Sequence, residues 1–508
     1  MRRVAWFLLL VFAFAIPWEY SLDLGQPFGN AARIAGLLLL FAAVPAVFQA
    51  GRIRTPGLFQ WLTLALYLWF CCSYLWTVDP ASTLERVRGY FQEMMIVWLV
   101  WEFAETPANL RAILRATVAG SWVLAVLTLA AFRSPEAIAA GQFRFAAYGQ
   151  DPNEVARFLD FGFPLASLLF NCEKRRPARL MALGFLPLGL LAVLLTASRG
   201  GFLAALVAFA GSAVLLARGH ARRVAAAVFA LPPFLAALWF FVPAATFDRL
   251  STIPEQLSSG DLNQRLNIWS AGWRAFVHAP VFGSGAGSFV VAAHLAPIDT
   301  PHNTVLSILV GGGLCALFLA SILVLFAAHS AAQTHGPLRI ALITTLLVWA
   351  VTSLTATVEE NRTTWLLFAV IVLAGRLAAE DPAGLSNCFL SPASVPNHPL
   401  VERLVKAHRL ALRRERLIKM IRNPGSPAEL LREFLGETTA AEFAAHIGVA
   451  RDTLSHILNG GGAVTVDLSI RLGQALGLSP DFFSKAQLQH HLRNELQKNR
   501  QKIKRWEG

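Results

Sequence analysis

Charge is scarce in this chain. Only 15% of its 508 residues are charged, whereas 55% are hydrophobic, and the mean hydropathy is +0.52. A soluble domain cannot bury that much apolar surface, because the surface of a folded protein shrinks too slowly relative to its size. The composition therefore excludes an ordinary soluble enzyme and predicts a protein built mainly of membrane-spanning helices.

Cysteine is also scarce, and the common nucleotide- and metal-binding motifs are missing. The five cysteines are scattered, which excludes a zinc-finger spacing and a disulfide framework. No Gly-x-x-x-x-Gly-Lys sequence occurs, which excludes a Walker-type phosphate loop. No Asp-x-Asp or other carboxylate pair with metal-ligand spacing occurs either. We therefore expect neither a metal ion nor a cofactor.

What the chain has instead is long apolar segments. About twelve of them approach or reach the length that crosses a bilayer, which is around 20 helical residues. Short basic connections alternate with connections that hold most of the carboxylates. This positive-inside pattern predicts a multi-pass membrane protein with both termini in the cytoplasm. The predicted spans lie near residues 4–18, 31–49, 58–76, 89–103, 113–132, 155–171, 178–196, 200–217, 222–242, 303–329, 338–355 and 363–378.

The predicted outer side of this membrane domain carries arginine but no lysine. Lys174 is the only lysine in the first 380 residues, and it falls in a predicted cytoplasmic connection. Arginine binds phosphate or carboxylate through two parallel hydrogen bonds, which lysine cannot make. For any single arginine the alternative is anchoring at the headgroups. The exclusive use of arginine favours recognition of an anion.

The composition changes near residue 380 and again near residue 424. Residues 1–380 are predicted to form the membrane domain, with a large outer loop at 243–302. Residues 381–423 hold a linker and the basic amphipathic stretch VERLVKAHRLALRRERLIKM, which either lies on anionic membrane lipid or is a solvated linker helix. Residues 424–508 have apolar residues at helical spacing, which predicts a small soluble domain.

The segment TTAAEFAAHIGVARDTLSHILNGG has the proportions of a helix-turn-helix, with Gly448 at the turn and a second helix beginning near Ala450. It resembles the lambda-repressor-like family, and within it the HigA-type antitoxins, through RNPGSPAELLREFL and LSHILNG. The resemblance implies five helices and either DNA or a toxin-like protein as partner. Asp452 would oppose phosphate binding. The residues expected to contact DNA are Arg451, Thr453, Ser455, His456 and Asn459.

Polar residues collect in four predicted outer connections. SRGG lies between two apolar segments, and the large loop contains QRLNIWSAGWRAF and then DTPHNTVLSIL, with a histidine at the entrance of the next span. FRFAAYGQDPNEVARF precedes them and EENRTTW follows. The candidate site residues in these segments are Arg144, Asp151, Asn153, Glu154, Arg199, Arg265, Trp269, Arg274, His302, Asn303, Glu359 and Arg362.

The stretch GSGAGSF, beginning at residue 283, is rich in glycine but lacks the lysine and the GxGxxG spacing of a nucleotide site. Glycine tolerates backbone conformations and close contacts that a Cβ would prevent. The stretch therefore predicts a turn at the membrane surface where backbones approach closely.

With these segments the chain resembles the superfamily of O-antigen ligases and Wzy-type polymerases over about residues 60–380. The resemblance rests on SYLWTVDP, YGQDPNEVARF, TASRGGFLAAL, RLNIWSAGWRAFVHAPVFGSGAGSF and PHNTVL, and on their order. It implies an all-α, polytopic, GT-C-like bundle in the bacterial inner membrane. The implied reaction is metal-independent transfer of a glycan from undecaprenyl pyrophosphate to a hydroxyl of lipid A-core or another glycan acceptor, at the periplasmic face.

This reaction gives the candidate residues their expected roles. Arg199 and Arg265 are expected to clamp the diphosphate of the donor and to stabilise charge on the leaving group. His302 is expected to take the proton of the acceptor hydroxyl, because imidazole titrates near neutral pH. The remaining residues expected to bind donor or acceptor are Arg144, Asp151, Asn153, Glu154, Trp269, Arg274, Asn303, Glu359 and Arg362.

Four alternatives remain open. A polymerase and a protein O-oligosaccharyltransferase would use the same donor with a different acceptor. A transporter would carry ionisable residues in mid-span and broken helices in related halves, whereas the predicted spans have few charges and no internal repeat. A membrane-tethered DNA-binding regulator would not need the arginines and the histidine on the outer side.

Overall fold

A computed structural model of the chain describes residues 1–25, 29–135, 143–218, 236, 238–258, 260, 264–389, 427–435 and 439–498. Contacts divide the chain into two units, Met1–Val395 and Pro396–Gly508. The described residues form helices and connections, with no strand among them. The predicted all-α class is therefore confirmed.

The first unit consists of long helices joined by short connections. Two 3-10 turns, Ile16–Ser21 and Ser73–Leu75, follow its first and third helices. The helices are α1 Arg2–Ala15, α2 Ala31–Ala50, α3 Leu58–Cys72, α4 Pro80–Phe103, α5 Pro107–Phe132, α6 Pro152–Cys172, α7 Arg176–Leu195, α8 Arg199–Ala217, α9 Ala244–Ser251, α10 Ile253–Ser258, α11 Arg265–His278, α12 Phe289–Ala292, α13 Thr304–Gln333, α14 Gly336–Ser353, α15 Arg362–Glu380 and α16 Pro382–Phe389.

Ten helical segments in the described part of the chain are long and apolar enough to cross a membrane. They agree with ten of the predicted spans. The fourth predicted span, 89–103, is the C-terminal part of α4, which has 24 residues and carries several charges. The ninth, 222–242, lies largely outside the described residues. The chain is a multi-pass membrane protein.

Helix α6 is the centre of this unit. It is buried along nearly its whole length and packs against α5, α7, α8 and α14. Gly201 in the first turn of α8 lies against α6 so closely that a Cβ there would come within 2.3 Å of the Ala156 Cβ. This close approach brings the N-terminal ends of α6 and α8 together.

The large outer loop is mostly helical in its described residues, since it contains α9 to α12. Helix α11 packs against α12 and α13 through an apolar cluster that includes Ile268, Phe276, Phe289 and Leu306. This cluster fixes α11 on the first turns of α13.

The glycine-rich stretch after α11 pairs with a break in α13. Gly313 in α13 has φ 67°, ψ −165°, outside the helical range. There the backbone N–H groups of Ser284 and Gly285 donate to the carbonyls of Val310 and Gly311, at 2.7 and 3.0 Å. A Cβ on Gly283 would lie 2.6 Å from backbone atoms of α13. The predicted close approach of backbones is therefore confirmed.

The second unit has five helices in its described residues, as the sequence predicted. Its core contains Leu431, Leu454, Leu472 and Phe483. The predicted amphipathic stretch at 401–420 lies outside the described residues. The helices are α17 Pro427–Leu435, α18 Ala440–Ile447, α19 Arg451–Leu458, α20 Val466–Leu476 and α21 Phe482–Lys498.

The first unit continues past the predicted boundary at residue 380. Helix α16 packs against α5 and α15, and its Leu385 and Phe389 are buried. The predicted domain limits 1–380, 381–423 and 424–508 stay predictions.

Candidate functional site

Four helix starts supply most of the predicted site residues. Helices α6, α8, α11 and α13 follow Asp151, Ser198, Gln264 and Asn303. The side chains of Asp151, Ser198 and Asn303 each accept a hydrogen bond from a backbone N–H in the first turn of the following helix, at 2.8, 3.2 and 2.9 Å. Because a helix N-terminus carries partial positive charge, each start favours a nearby anion.

Hydrogen bonds join the starts of α6 and α8. The Ser198 hydroxyl donates to Oδ1 of Asn153 at 2.8 Å. Arg144 donates from Nη2 to the same oxygen at 2.9 Å and from Nε to the carbonyl of Thr196 at 3.2 Å. Arg144 is thereby held beside Arg199, the first residue of α8.

A fourth arginine, which the sequence analysis missed, joins these residues from α9. Arg249 donates from Nε to the carbonyl of Ala197 at 3.0 Å. The Thr252 hydroxyl donates to the Arg249 carbonyl at 2.8 Å and accepts from Nη1 of Arg199 at 3.3 Å. We call the resulting group the arginine cluster; its members are Arg144, Arg199, Arg249 and Arg265.

The arginine cluster concentrates positive charge. Burial lowers the pKa of Arg144, Arg249 and Arg265, and the charge of neighbouring arginines lowers it further. Asp151 opposes this effect at Arg144 and Arg265. Arginine still remains protonated at neutral pH. Four guanidinium groups held this close together suit an anion that carries more than one negative charge.

Backbone strain is concentrated at this site. Only four non-glycine residues in the described part of the chain have positive φ, and three of them are Ala197, Gln264 and His302, at 47°, 62° and 45°. Gln264 lies directly before the start of α11, and Ala197 lies two residues before the start of α8. Strained backbone of this kind persists where surrounding contacts impose it, commonly at functional sites.

His302 is held between the large loop and α13. The hydroxyl of Thr300 lies 3.1 Å from His302 Nε2, and Trp269 Nε1 donates to the carbonyl of Pro301 at 2.9 Å. Burial lowers the pKa of His302, and the nearby charge of Arg265 lowers it further. The imidazole is therefore neutral at pH 7, the form that can accept a proton.

Four candidate residues lie away from the arginine cluster. Arg274 follows Arg265 by nine residues, which places it on the opposite face of α11, where it is exposed. Glu154 and Arg362 line a neighbouring polar cavity. Glu359 is buried at a separate, mostly apolar cavity of about 390 Å³. The residues brought together at the helix starts are Arg144, Asp151, Asn153, Arg199, Arg265, Trp269, His302 and Asn303.

The polar cavity also contains charged residues that were absent from the predicted site, among them Glu19, Glu85, Arg86 and Glu93. A signal for Glu85 and Glu93 lies in α4, where Glu85, Gly89 and Glu93 repeat at a spacing of four. That spacing places them on one helix face. Among the residues that the structure describes, no group of three histidine, cysteine or acidic side chains is placed to hold a metal ion.

In the second unit, Gly448 has φ 69° and ends α18, so that α19 follows after a tight turn. Leu454 and Ile457 of α19 are buried against the core. The opposite face of α19 is exposed, and Ser455 at the edge of this face is half-buried. The predicted DNA-contacting residues that are exposed are Arg451, Thr453, His456 and Asn459.

Two segments of the chain match known families. Residues 184–321 match the family described as O-antigen ligase, and residues 429–483 match the one described as helix-turn-helix. No curated protein matches the chain. The first segment contains Arg199, Arg265 and His302. The predicted resemblances are therefore confirmed, and the first match supports a ligase or glycosyltransferase type of enzyme that acts in O-antigen or polysaccharide processing.

Proposed function

We propose that the membrane unit transfers a glycan from an undecaprenyl-pyrophosphate donor to an acceptor hydroxyl, as an O-antigen ligase does. The observation that carries this proposal is the convergence of the arginine cluster with a strained, neutral His302. A diphosphate is an anion that this concentration of guanidinium groups suits. The O-antigen ligase match over the segment that holds Arg199, Arg265 and His302 supports the same conclusion.

Arg199 and Arg265 bind the diphosphate in this proposal, with Arg144 and Arg249 adding to the positive field. Arg199 and Arg265 are each the first residue of a helix, so the helix dipole adds to the charge of the side chain. A hydrogen bond to a charged group contributes about 1.5–3 kcal/mol. The same contacts stabilise the negative charge that develops on the leaving diphosphate.

His302 acts as the general base. The acceptor oxygen forms a bond to the anomeric carbon of the donor glycan while the bond from that carbon to the diphosphate oxygen breaks. The hydroxyl proton passes to the imidazole, and undecaprenyl pyrophosphate leaves with the bonding electron pair. Because the pKa of His302 is lowered, its imidazole is unprotonated at neutral pH and can accept this proton.

We place this reaction at the periplasmic face of the bacterial inner membrane, with both termini in the cytoplasm. The alternation of basic and acidic connections in the sequence supports that orientation. The arginine cluster and His302 lie in connections or at helix ends that this orientation assigns to the outer side. Lipid A-core is the acceptor we favour. A second lipid-linked repeat or a protein hydroxyl would use the same chemistry.

The test is to incubate the purified full-length protein with a pyrophosphate-linked oligosaccharide on undecaprenol, with and without lipid A-core. A mobility shift of lipid A-core identifies a ligase, and a ladder on the carrier lipid identifies a polymerase. Either result requires the transfer proposed here. Intact donor under both conditions, with a folded protein, would contradict it.

A second candidate function belongs to the C-terminal unit. We propose that α19 enters the major groove of DNA, because its exposed face presents Arg451, Thr453 and His456. The helix-turn-helix match supports this proposal. A mobility-shift assay of the full-length protein in detergent with genomic fragments tests it. Binding that weakens steeply with salt and is lost in Arg451→Ala is expected, whereas capture of a small toxin-like protein without DNA would contradict it.

A further inference from the structure

The polar cavity beside the arginine cluster is a separate compartment of about 390 Å³. Pockets that bind small ligands commonly have volumes of about 300–1,000 Å³. Its walls come from the 3-10 turn after α1, from one face of α4 and from the first turns of α6 and α15. We call it the acidic cavity; the lining residues that matter below are Glu19, Arg86, Gly89, Glu93, Glu154 and Arg362.

Carboxylates outnumber cations in the acidic cavity. Arg362 is paired with Glu19, and Arg86 with Glu360. Glu93 is therefore a carboxylate in excess. It is 3% exposed, and none of the described residues offers its Oε2 a hydrogen bond.

An unpartnered buried carboxylate is costly for the fold, so it indicates a ligand that donates hydrogen bonds. The surrounding carboxylates also repel anions. A sugar with several hydroxyl groups, or with an amino group, supplies such donors without adding negative charge. Pyrophosphate supplies no such donors and adds negative charge.

The acidic cavity and the arginine cluster share two walls. The first wall is the start of α6, where Glu154 lies one residue after Asn153. Just before it, Gln150 donates from Nε2 to the Ser21 hydroxyl at 3.1 Å, next to the turn that carries Glu19.

The second shared wall is the loop 354–361. The Thr304 hydroxyl donates to the carbonyl of Ala356 and accepts from the N–H of Val358, both at 2.9 Å. A Cβ on Gly200 would lie 2.9 Å from the Thr355 hydroxyl oxygen. The loop thus contacts the starts of α8 and α13 and then continues into the acidic cavity.

We propose that the acidic cavity binds the terminal sugar of the acceptor, and that it selects an uncharged or amine-bearing sugar over an anionic one. This inference rests on the proposed function for the identity of the acceptor. Hydroxyl groups of the sugar donate to Glu93 and its neighbours, while the shared walls keep the reacting hydroxyl near the arginine cluster. The two substrates therefore bind in different compartments: the diphosphate binds to the arginine cluster, and the acceptor sugar binds to the carboxylates of the acidic cavity.

Gly89 provides a direct test, because it lines the acidic cavity and nothing lies within 4 Å of the position of a Cβ there. Leucine is a better helix former than glycine, so Gly89→Leu fills the cavity without weakening α4. Gly89→Ala adds a single carbon and serves as the size control. Glu93→Gln replaces the carboxyl group with an amide of nearly the same shape, and Glu105→Gln makes the same replacement outside the cavity.

The experiment measures binding of hexyl glucoside and hexyl glucuronide to the full-length protein in nanodiscs by saturation-transfer NMR. The natural sequence and the Gly89→Ala and Glu105→Gln variants should bind the glucoside at least 10-fold more tightly than the glucuronide. Gly89→Leu should bind neither sugar. Glu93→Gln should weaken glucoside binding and reduce the discrimination. Unchanged glucoside binding in both Gly89→Leu and Glu93→Gln would overturn the proposal.

Binding of undecaprenyl pyrophosphate in the same samples separates this inference from the proposed function. If the sugar responds as expected but the natural sequence does not bind the diphosphate, the proposed function fails and the sugar site stands. If the diphosphate binds and glucoside binding is unchanged in both Gly89→Leu and Glu93→Gln, the sugar site fails and the proposed function stands.

Discussion

The arginine cluster and the acidic cavity are neighbours with opposite charge. The first gathers four arginines, two of which are the first residues of helices whose N-termini carry partial positive charge. The second gathers carboxylates, including Glu93, whose buried Oε2 receives no hydrogen bond from any described residue. They share the start of α6 and the loop 354–361. The comparison shows how one end of a helical bundle can hold two compartments of contrasting chemistry.

Removal of the base is expected to have the largest effect, and it leaves the charge of both compartments nearly intact. We expect His302→Gln to slow glycan transfer by about 10²–10⁴-fold, the usual contribution of a general base. Affinity for the donor should stay within about twofold, since the diphosphate contacts remain. Single-turnover transfer and donor binding, measured on the same preparation, check both statements. Full transfer activity in the folded variant would eliminate His302 as the base.

Neutralising the arginine cluster is expected to have the next largest effect. Arg199→Gln and Arg265→Gln should each weaken binding of undecaprenyl pyrophosphate by about 10- to 150-fold, the factor that corresponds to one hydrogen bond to a charged group. Arg274→Gln is the matched control, because it removes an arginine from the opposite face of the same helix. Equal losses in Arg265→Gln and Arg274→Gln would show that general positive charge, and not the cluster, attracts the donor.

A smaller effect is expected from Asp151, a carboxylate beside the arginine cluster. Asp151 raises the pKa of His302, which burial and Arg265 lower. In Asp151→Asn the pKa of His302 should fall further, so the acidic decline of kcat/KM should move to lower pH. Asparagine caps a helix as well as aspartate, which preserves the start of α6. A pH profile between about 4.5 and 8 shows the direction, and a move to higher pH would contradict this coupling.

The smallest effect on transfer is expected from the C-terminal unit. Thr439 caps α18 by accepting a hydrogen bond from the N–H of Glu442, at 3.3 Å. Thr439→Ala should therefore destabilise this unit by about 1 kcal/mol. Transfer activity should not change, because both compartments belong to the membrane unit. A thermal melt followed by the transfer assay checks this, and a parallel loss of activity would mean that the tail supports the site.

The sequence predicted the fold well because a membrane span has a clear signature of length and hydropathy. Where prediction fell short, polar residues interrupted that signature. The start of α4 was placed at residue 89, whereas the helix begins at Pro80. Two of the charged residues between these positions, Glu85 and Arg86, line the acidic cavity, so the residues that interrupt the hydropathy signal also belong to the cavity.

The arginine and histidine residues of the site were predictable because they stand alone in connections between apolar segments. Arg265 and Arg274 could not be distinguished in the same way, since both lie in one polar stretch. The structure shows that both lie in the single helix α11, where their separation of nine residues puts them on opposite faces. Arg249 was missed because its neighbours in the sequence give no signal, and its role depends on a contact with Ala197 from a distant part of the chain.

The most direct test of the central claim is a structure of the full-length protein in nanodiscs with undecaprenyl pyrophosphate bound. The diphosphate should contact Arg199 and Arg265 at about 2.7–2.9 Å, the usual length of a charge-assisted hydrogen bond. His302 should border the anomeric side of the diphosphate, with the acidic cavity free of it. A diphosphate bound next to Arg274, or within the acidic cavity, would contradict the account.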